Sequence, residues 1–579
     1  MRQLTGLDTS FLNMETGSQF GHVASITIFD GKGLKPGEFY ARILHLMEER
    51  LHLMPVLRRR LVEVPFGLDH PWWIEDPDFD LEFHIRNLAL PAPGDDTQLA
   101  EQVARLAARP LDRSRPMWEA YVIEGLAGDR VGFLNKVHHC TIDGAQGVEM
   151  LMTIFDTDPE GREIVPPKKA WRPEAIPSGT QLLMRAGGNL MASPRMAARL
   201  GRKTAQAMVD IGRARGFKGL AEMPSASGLS QIPGIGELLA GAGRLAGRKE
   251  RPEEFPVLPD KPAPKTSFNR SITAHRRYAF RGLPLADARY VKTVFGTTIN
   301  DVVMAISAAA LRAYLIDRNE LPADPLIAMV PVSIRTGKEE DAYSNRVASI
   351  LAPLHTQIED PVARLQAIGH SMRAAKEMQQ AMPADLMTDL AHFAPPMVAA
   401  RASRLATRTK VADRMNPPFN VVISNVPGPN VPLFAGGALL QGFFPVSTIV
   451  DGQGMNITVQ SYKGSLDFGV IGCREIFPDV WSLVDGIEAG LVELVAAARA
   501  HEAEAEEAAA AESKALETAT SIAANVLAEE AAAVKTTRPA KARAPKLAPT
   551  KPAKARTVTK PAKARTGTKP STAESTTTS

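Results

Sequence analysis

His138 and His139 are adjacent, and Asp143-Gly144 follow close behind in the string HHCTIDG. Imidazole has an unperturbed pKa of about 6.5, so a neutral histidine can take a proton from a weakly nucleophilic hydroxyl. In that role His139 would remove the proton of an alcohol as its oxygen attacks a thioester carbonyl. The imidazolium would then return the proton to the departing thiolate. This route needs no covalent acyl-enzyme, and the chain has no GxSxG elbow to supply one. Neighbours on a strand point to opposite faces, so only one histidine faces the substrate easily and His138 reads as its support. Asp143, beside a glycine, is placed to shape the loop rather than to share the proton.

Residues 131–138 read as a buried strand that delivers the pair at its end, with an apolar-faced helix from about Ala145. A base at a strand end is held by a rigid element beside a loop that can admit substrate. Strand-like His22–Phe29 and helical Gly37–Leu51 and Gln98–Ala108 complete a mixed α/β unit over 1–165. Residues 166–265 read as a Pro/Gly-rich connection. Within it, Gln181–Gly216 has apolar residues at helical spacing and seven basic residues against one acid, the pattern of a basic amphipathic helix on a membrane surface. Its bland alternative is a helix packed on its own domain.

A second α/β unit spans 266–500, with a helix at Thr298–Asp317 and strands at Leu326–Pro331, Val347–Pro353, Phe419–Ser424, Met455–Tyr462 and Leu466–Ile471. Asn300 and Asp301 open its helix. They are preferred capping types, and they carry a site role as well if that helix end faces substrate. Ser424 and Asn425 precede the bend VPGP and could donate to an oxyanion, or simply form an Asn turn. Trp118 is expected in the core, and Arg335 is a candidate partner for Asp143.

Two cysteines, Cys140 and Cys473, are too few for a disulfide framework, and neither has metal-ligand spacing, so no metal is expected. No run of about 18 apolar residues predicts a membrane span, and no signal peptide opens the chain. The net charge of +4 hides an asymmetry. From Lys535 onward there are 12 Lys and Arg against one acid, leaving the rest at −7. Residues 501–534, rich in Ala and Glu, read as a solvated helix. Residues 535–579 repeat RPAKAR/KPAKAR and read as a disordered basic tail able to bind polyanions, whether anionic lipid or nucleic acid.

His138-His139-Cys140-Thr141-Ile142-Asp143-Gly144 resembles the HHxxxDG motif of CoA-dependent acyltransferases, which include chloramphenicol acetyltransferase-like enzymes and peptide-synthetase condensation domains. Further stretches narrow the resemblance to the bacterial wax ester synthase/diacylglycerol acyltransferase family, in its mycobacterial triacylglycerol synthase form. They are LTGLDTSFLNMET (Leu4–Thr16), RPLDRSRPMWEAYVIEGL (Arg109–Leu126), TINDV (Thr298–Val302), VPVSIR (Val330–Arg335), SNRVASILAPL (Ser344–Leu354) and NVVISNVPGP (Asn420–Pro429). The resemblance covers about residues 4–490; Cys140, the long connection and the basic tail depart from it.

It implies two chloramphenicol acetyltransferase-like domains, each a mixed sheet flanked by helices, with a channel between them. His139, His138 and Asp143 would be the catalytic set, with Gly144, Asn300, Asp301, Ser424 and Asn425 as substrate-binding or structural support. Acyl-CoA would be a co-substrate and no cofactor is implied. The acceptor would be diacylglycerol or a long-chain alcohol, and the protein would sit in the cytoplasm, peripheral to the inner membrane or lipid droplets. Two alternatives are acyl transfer from a carrier protein and a non-catalytic tether of lipid droplets or DNA.

Overall fold

The computed structural model describes residues 1–142, 144–169, 171–189, 262–333, 347–380 and 396–536. In chain order, β1 (Arg2–Gln3) leads to α1 (Gly6–Asn13), β2 (His22–Asp30) and α2 (Glu38–Arg50). A 3-10 turn at Pro65–Gly67 separates β3 (Arg59–Val62) from β4 (Trp72–Glu75). Then come α3 (Leu81–His84), β5 (Ile85–Ala89), α4 (Asp96–Ala107), β6 (Trp118–Leu126), β7 (Arg130–His138) and α5 (Gly144–Ile154), followed by a helix at 179–189, α6. The second half holds β8 (Arg276–Pro284), α7 (Leu285–Phe295), α8 (Ile299–Ile316), β9 (Ile327–Ser333), β10 (Val347–Pro353), α9 (Pro361–Gln380) and α10 (Pro396–Arg408). It continues through β11 (Val421–Val426), β12 (Phe434–Ala435), β13 (Ala438–Val446), β14 (Met455–Tyr462), β15 (Ser465–Cys473) and α11 (Trp481–Thr536).

Two six-stranded mixed sheets organise the compact unit Met1–Ala505, in the orders β12-β13-β2-β7-β6-β5 and β10-β9-β11-β14-β15-β8. The helices flank them, which is the expected α/β class. The strand β7 lies inside the first sheet, antiparallel to β2 and β6. Its side chains alternate between two cores: Val131, Phe133 and Val137 join α2 and α5, while Leu134 faces the core shared with the second sheet. Both faces are covered, so β7 is buried from Val131 to His138, the polar Asn135 and Lys136 included.

One feature has no signature in the sequence pattern. β12 and β13 come from the second half of the chain but complete the first sheet, with β13 paired along β2. β13 also crosses the second sheet. The Phe443 N–H donates to Asp467 Oδ2 at 2.7 Å, Tyr278 Oη donates to the Pro445 carbonyl at 3.2 Å, and Phe444 packs on Phe280. A side chain at Gly469 would collide with that carbonyl.

Among the described helices, α8 is long and apolar enough to cross a membrane, but 67% of it is buried in the protein as a core helix. α11 continues beyond Ala505, and its residues 501–532 are exposed. The opening turns of the basic amphipathic stretch form α6, which buries Leu182 and Ala186 against Val64 and Trp72 of its own unit. Residues 190–261 and the tail from 537 lie outside the described residues.

Candidate active site

β7 ends at His138, and His139 is the first residue of the turn that follows. The two rings meet different surroundings. His138 is wholly buried, whereas His139 is half-buried and stacks on Phe11 of α1, with ring centroids 4.2 Å apart and planes within 4°. The asymmetry expected of neighbours at a strand end is present, and the more accessible ring is His139.

His138 is fixed in one tautomer by its two contacts. Its Nδ1 accepts the Cys140 N–H at 3.1 Å, so the proton sits on Nε2 and is donated to Glu15 Oε1 at 3.2 Å. Burial also lowers the His138 pKa, so the ring is neutral. Glu15 follows α1 and is the hub of the cluster. Its Oε1 also accepts the Gly21 N–H at 2.8 Å, and its Oε2 accepts Arg113 Nη2 at 2.7 Å. Burial alone would raise Glu15, but hydrogen bonds from His138, Gly21 and Arg113 hold it down to about 2. Arg113 in turn reaches Glu63 at 3.1 Å and the Leu12 carbonyl at 2.9 Å.

Gly21 ties this cluster to the candidate base. Its carbonyl accepts the His139 N–H at 2.9 Å, while its N–H binds Glu15. A Cβ there would stand 2.5 Å from His138 Nε2 and 2.7 Å from the Phe11 carbonyl, so only glycine fits. The segment around Gly21 is also docked on the second half of the chain. Gln19 Nε2 donates to Thr407 Oγ1 at 2.7 Å and Asp451 Oδ2 at 3.1 Å, and Thr448 Oγ1 donates to the Phe20 carbonyl. The histidine pair thus lies where both halves converge.

Sequence reasoning passed over Phe11, Glu15, Gly21 and Arg113. Three of them fall in stretches it had marked, but their pairing spans up to 123 residues and leaves no local signal. Glu15 and Arg113 sit among polar neighbours in the sequence, so nothing local marks them out. Cys140 is buried, and burial pushes its thiol well above the usual range, so it is a poor nucleophile. Trp118 is core, stacked on His84 with its indole N–H on the Leu57 carbonyl.

Asp143 and Arg335 lie outside the described residues, and with them their suggested pairing. Gly144 begins α5. Asn300 and Asp301 do open a helix, but the cap is Thr298. Its hydroxyl accepts the Asp301 N–H, and Asp301 Oδ2 accepts the Thr298 N–H at 2.9 Å, a reciprocal capping box. Asn300 is half-buried within the first turn.

Ser424 and Asn425 are not in a turn. β11 runs on through Val426, setting them beside Thr458 and Val459 of β14 in a parallel ladder. The β-branched residues on both sides carry the two polar residues along, and the bend begins only at Pro427. These four residues belong to the second sheet and its helix, the histidines to the first. Among the described residues no group of three or more His, Cys, Asp or Glu could hold a metal ion.

A family model described as the wax ester synthase/diacylglycerol acyltransferase catalytic domain matches residues 4–303. The model of that family's C-terminal domain matches residues 343–495. The Mycobacterium tuberculosis protein named "Probable diacyglycerol O-acyltransferase tgs2" is 33% identical over 498 residues, covering 85% of this chain and 98% of its own. A second M. tuberculosis relative, named for the same activity, is 32% identical over 496 residues, covering 86% of this chain and 90% of its own. The solved structure of a wax ester synthase/diacylglycerol acyltransferase from Marinobacter aquaeolei VT8 matches with a TM-score of 0.57 at 29% identity, covering 86% of this chain and 99% of that one.

Proposed function

The chain belongs to the wax ester synthase/diacylglycerol acyltransferase family, and from that membership we propose that it esterifies diacylglycerol with a long-chain acyl group taken from acyl-CoA. Long-chain alcohols are the second acceptor class, giving wax esters. As a family member the chain is an acyltransferase that takes an acyl donor and an acyl acceptor.

The observation that carries the mechanism is the half-buried His139 ring, stacked on Phe11 at the end of a rigid strand and beside a neutral, locked His138. His139 accepts the hydroxyl proton as the acceptor oxygen bonds to the thioester carbon. The tetrahedral intermediate then collapses, the carbon–sulfur bond breaks, and the imidazolium proton passes to the CoA thiolate. Atoms and charge balance without a redox partner, so no cofactor is invoked. Asp143, Asn300, Ser424 and Asn425 are proposed as loop-shaping and oxyanion-side residues around this step.

Both the donor tail and the acceptor are insoluble in water. The protein is therefore proposed to work peripherally at the cytoplasmic face of a membrane or on lipid droplets. The test is incubation of the purified chain with labelled palmitoyl-CoA and either dioleoylglycerol or hexadecanol. Labelled triacylglycerol or wax ester is expected, and the absence of both overturns the assignment.

A further inference from the structure

We infer that the 3-10 turn at Pro65–Gly67, α6 and the outer face of α10 form one surface that docks on an anionic lipid bilayer beside the active site. The inference rests on the reading that the acceptor is a lipid. Phe66 is 78% exposed, and its backbone is left-handed at φ +61, a conformation that bulky side chains avoid. Leu68 is 53% exposed on the same loop. α6 lies along this loop: Gly179 adjoins Pro65, Leu182 packs on Val64, Arg185 covers Trp72 and Asn189 donates to Asp69 at 2.7 Å. On the outside of α6, Met184 is 72% exposed.

α10 lies against both this turn and α1. Its inner face is engaged, with Ser403 Oγ on the Met14 carbonyl and Thr407 on Gln19. Its outer face presents Arg401, Arg404 and Arg408 around Leu405, which is 62% exposed, and its sequence holds no acid. Two acids lie nearby: Glu63, which shares Arg113 with Glu15, and Asp69, which accepts from the neutral Asn189 and keeps its charge. Apolar tips on three separate elements, interleaved with arginines, suit a bilayer, whose acyl region takes the tips and whose head groups take the cations. Beneath α10, α1 carries Phe11 to the face of His139, so docking here sets the site against the phase that holds the acceptor.

Flotation of the full chain with phosphatidylcholine vesicles, with and without phosphatidylglycerol, tests this. Wild type is expected to float with the anionic vesicles. Reversal of three charges (Arg401→Glu, Arg404→Glu, Arg408→Glu) should cut binding by about tenfold or more, as should Phe66→Ser combined with Leu405→Ser. All these side chains are exposed, so folding should persist, and circular dichroism checks it. Transfer to hexanol in detergent solution should be unchanged in both variants, while triacylglycerol formation from vesicle-held diacylglycerol falls with binding. Wild type that fails to float, or variants that float like wild type, would overturn the inference. Loss of transfer in detergent by wild type would instead count against the proposed reaction and leave flotation as a separate reading.

Discussion

At the scale of single residues, the division of labour between two adjacent histidines follows from what each touches. His138 is wholly buried, with both nitrogens bonded to protein at Cys140 and Glu15; His139 is half-buried and stacks on Phe11. Glu15 holds the orientation of His138, so Glu15→Gln should lower kcat by about tenfold or more with little change in KM. A loss confined to KM would contradict this positioning role. Gly21→Ala should be more damaging, since its Cβ would push on His138 and on the backbone of Phe11.

The buried histidines also set a pH dependence. Burial, with Lys136 adding to it, holds His22 down to about 3, so it stays neutral when folded. The unfolded chain takes up that proton near pH 6.5, so stability falls as pH drops below 6.5, by about 1.4 kcal/mol per pH unit, until the folded ring protonates near 3. Melting temperatures of His22→Gln and wild type over that window should diverge, with the flatter profile in the variant. Parallel profiles would count against it. The histidine pair was legible from residue type and place, but Glu15 and Arg113 were not, because a contact between distant segments leaves no periodicity.

At the scale of elements, the sequence pattern located about half of the strands and helices, among them β7, β10, β14 and α8, which carry strong periodicity or β-branched runs. It misplaced what depends on partners. β11 runs past Ser424, its expected end, through Val426 because β14 pairs with it, and β13, where no strand was expected, joins the first sheet because β2 offers it an edge. The start of α8 illustrates how a bland reading and a functional one can coexist. Thr298 and Asp301 close a capping box, so Asp301→Ala should cost about 1 kcal/mol of stability. Asn300→Ala, which leaves that box intact, should lose activity out of proportion to stability if Asn300 faces the reaction. Paired measurements of melting temperature and turnover separate the two.

At the scale of the whole molecule, the exchange of β13 is what makes the two halves one unit. Its pairing with β2 and its contacts to Tyr278 and Asp467 join both sheets, and Gln19 and Thr448 fasten the loop before β2. Met1–Ala505 should therefore unfold in a single calorimetric transition, and Gly469→Ala should lower its midpoint by wedging the sheets apart. Two resolved transitions would contradict that coupling.

All of this positions one imidazole, so the most direct measurement is acyl transfer from palmitoyl-CoA by wild type and His139→Ala at equal concentration, with folding checked by circular dichroism. The general-base role predicts a fall of about a hundredfold to ten-thousandfold in kcat, with acyl-CoA binding retained. Equal rates of ester formation by the two proteins would contradict it.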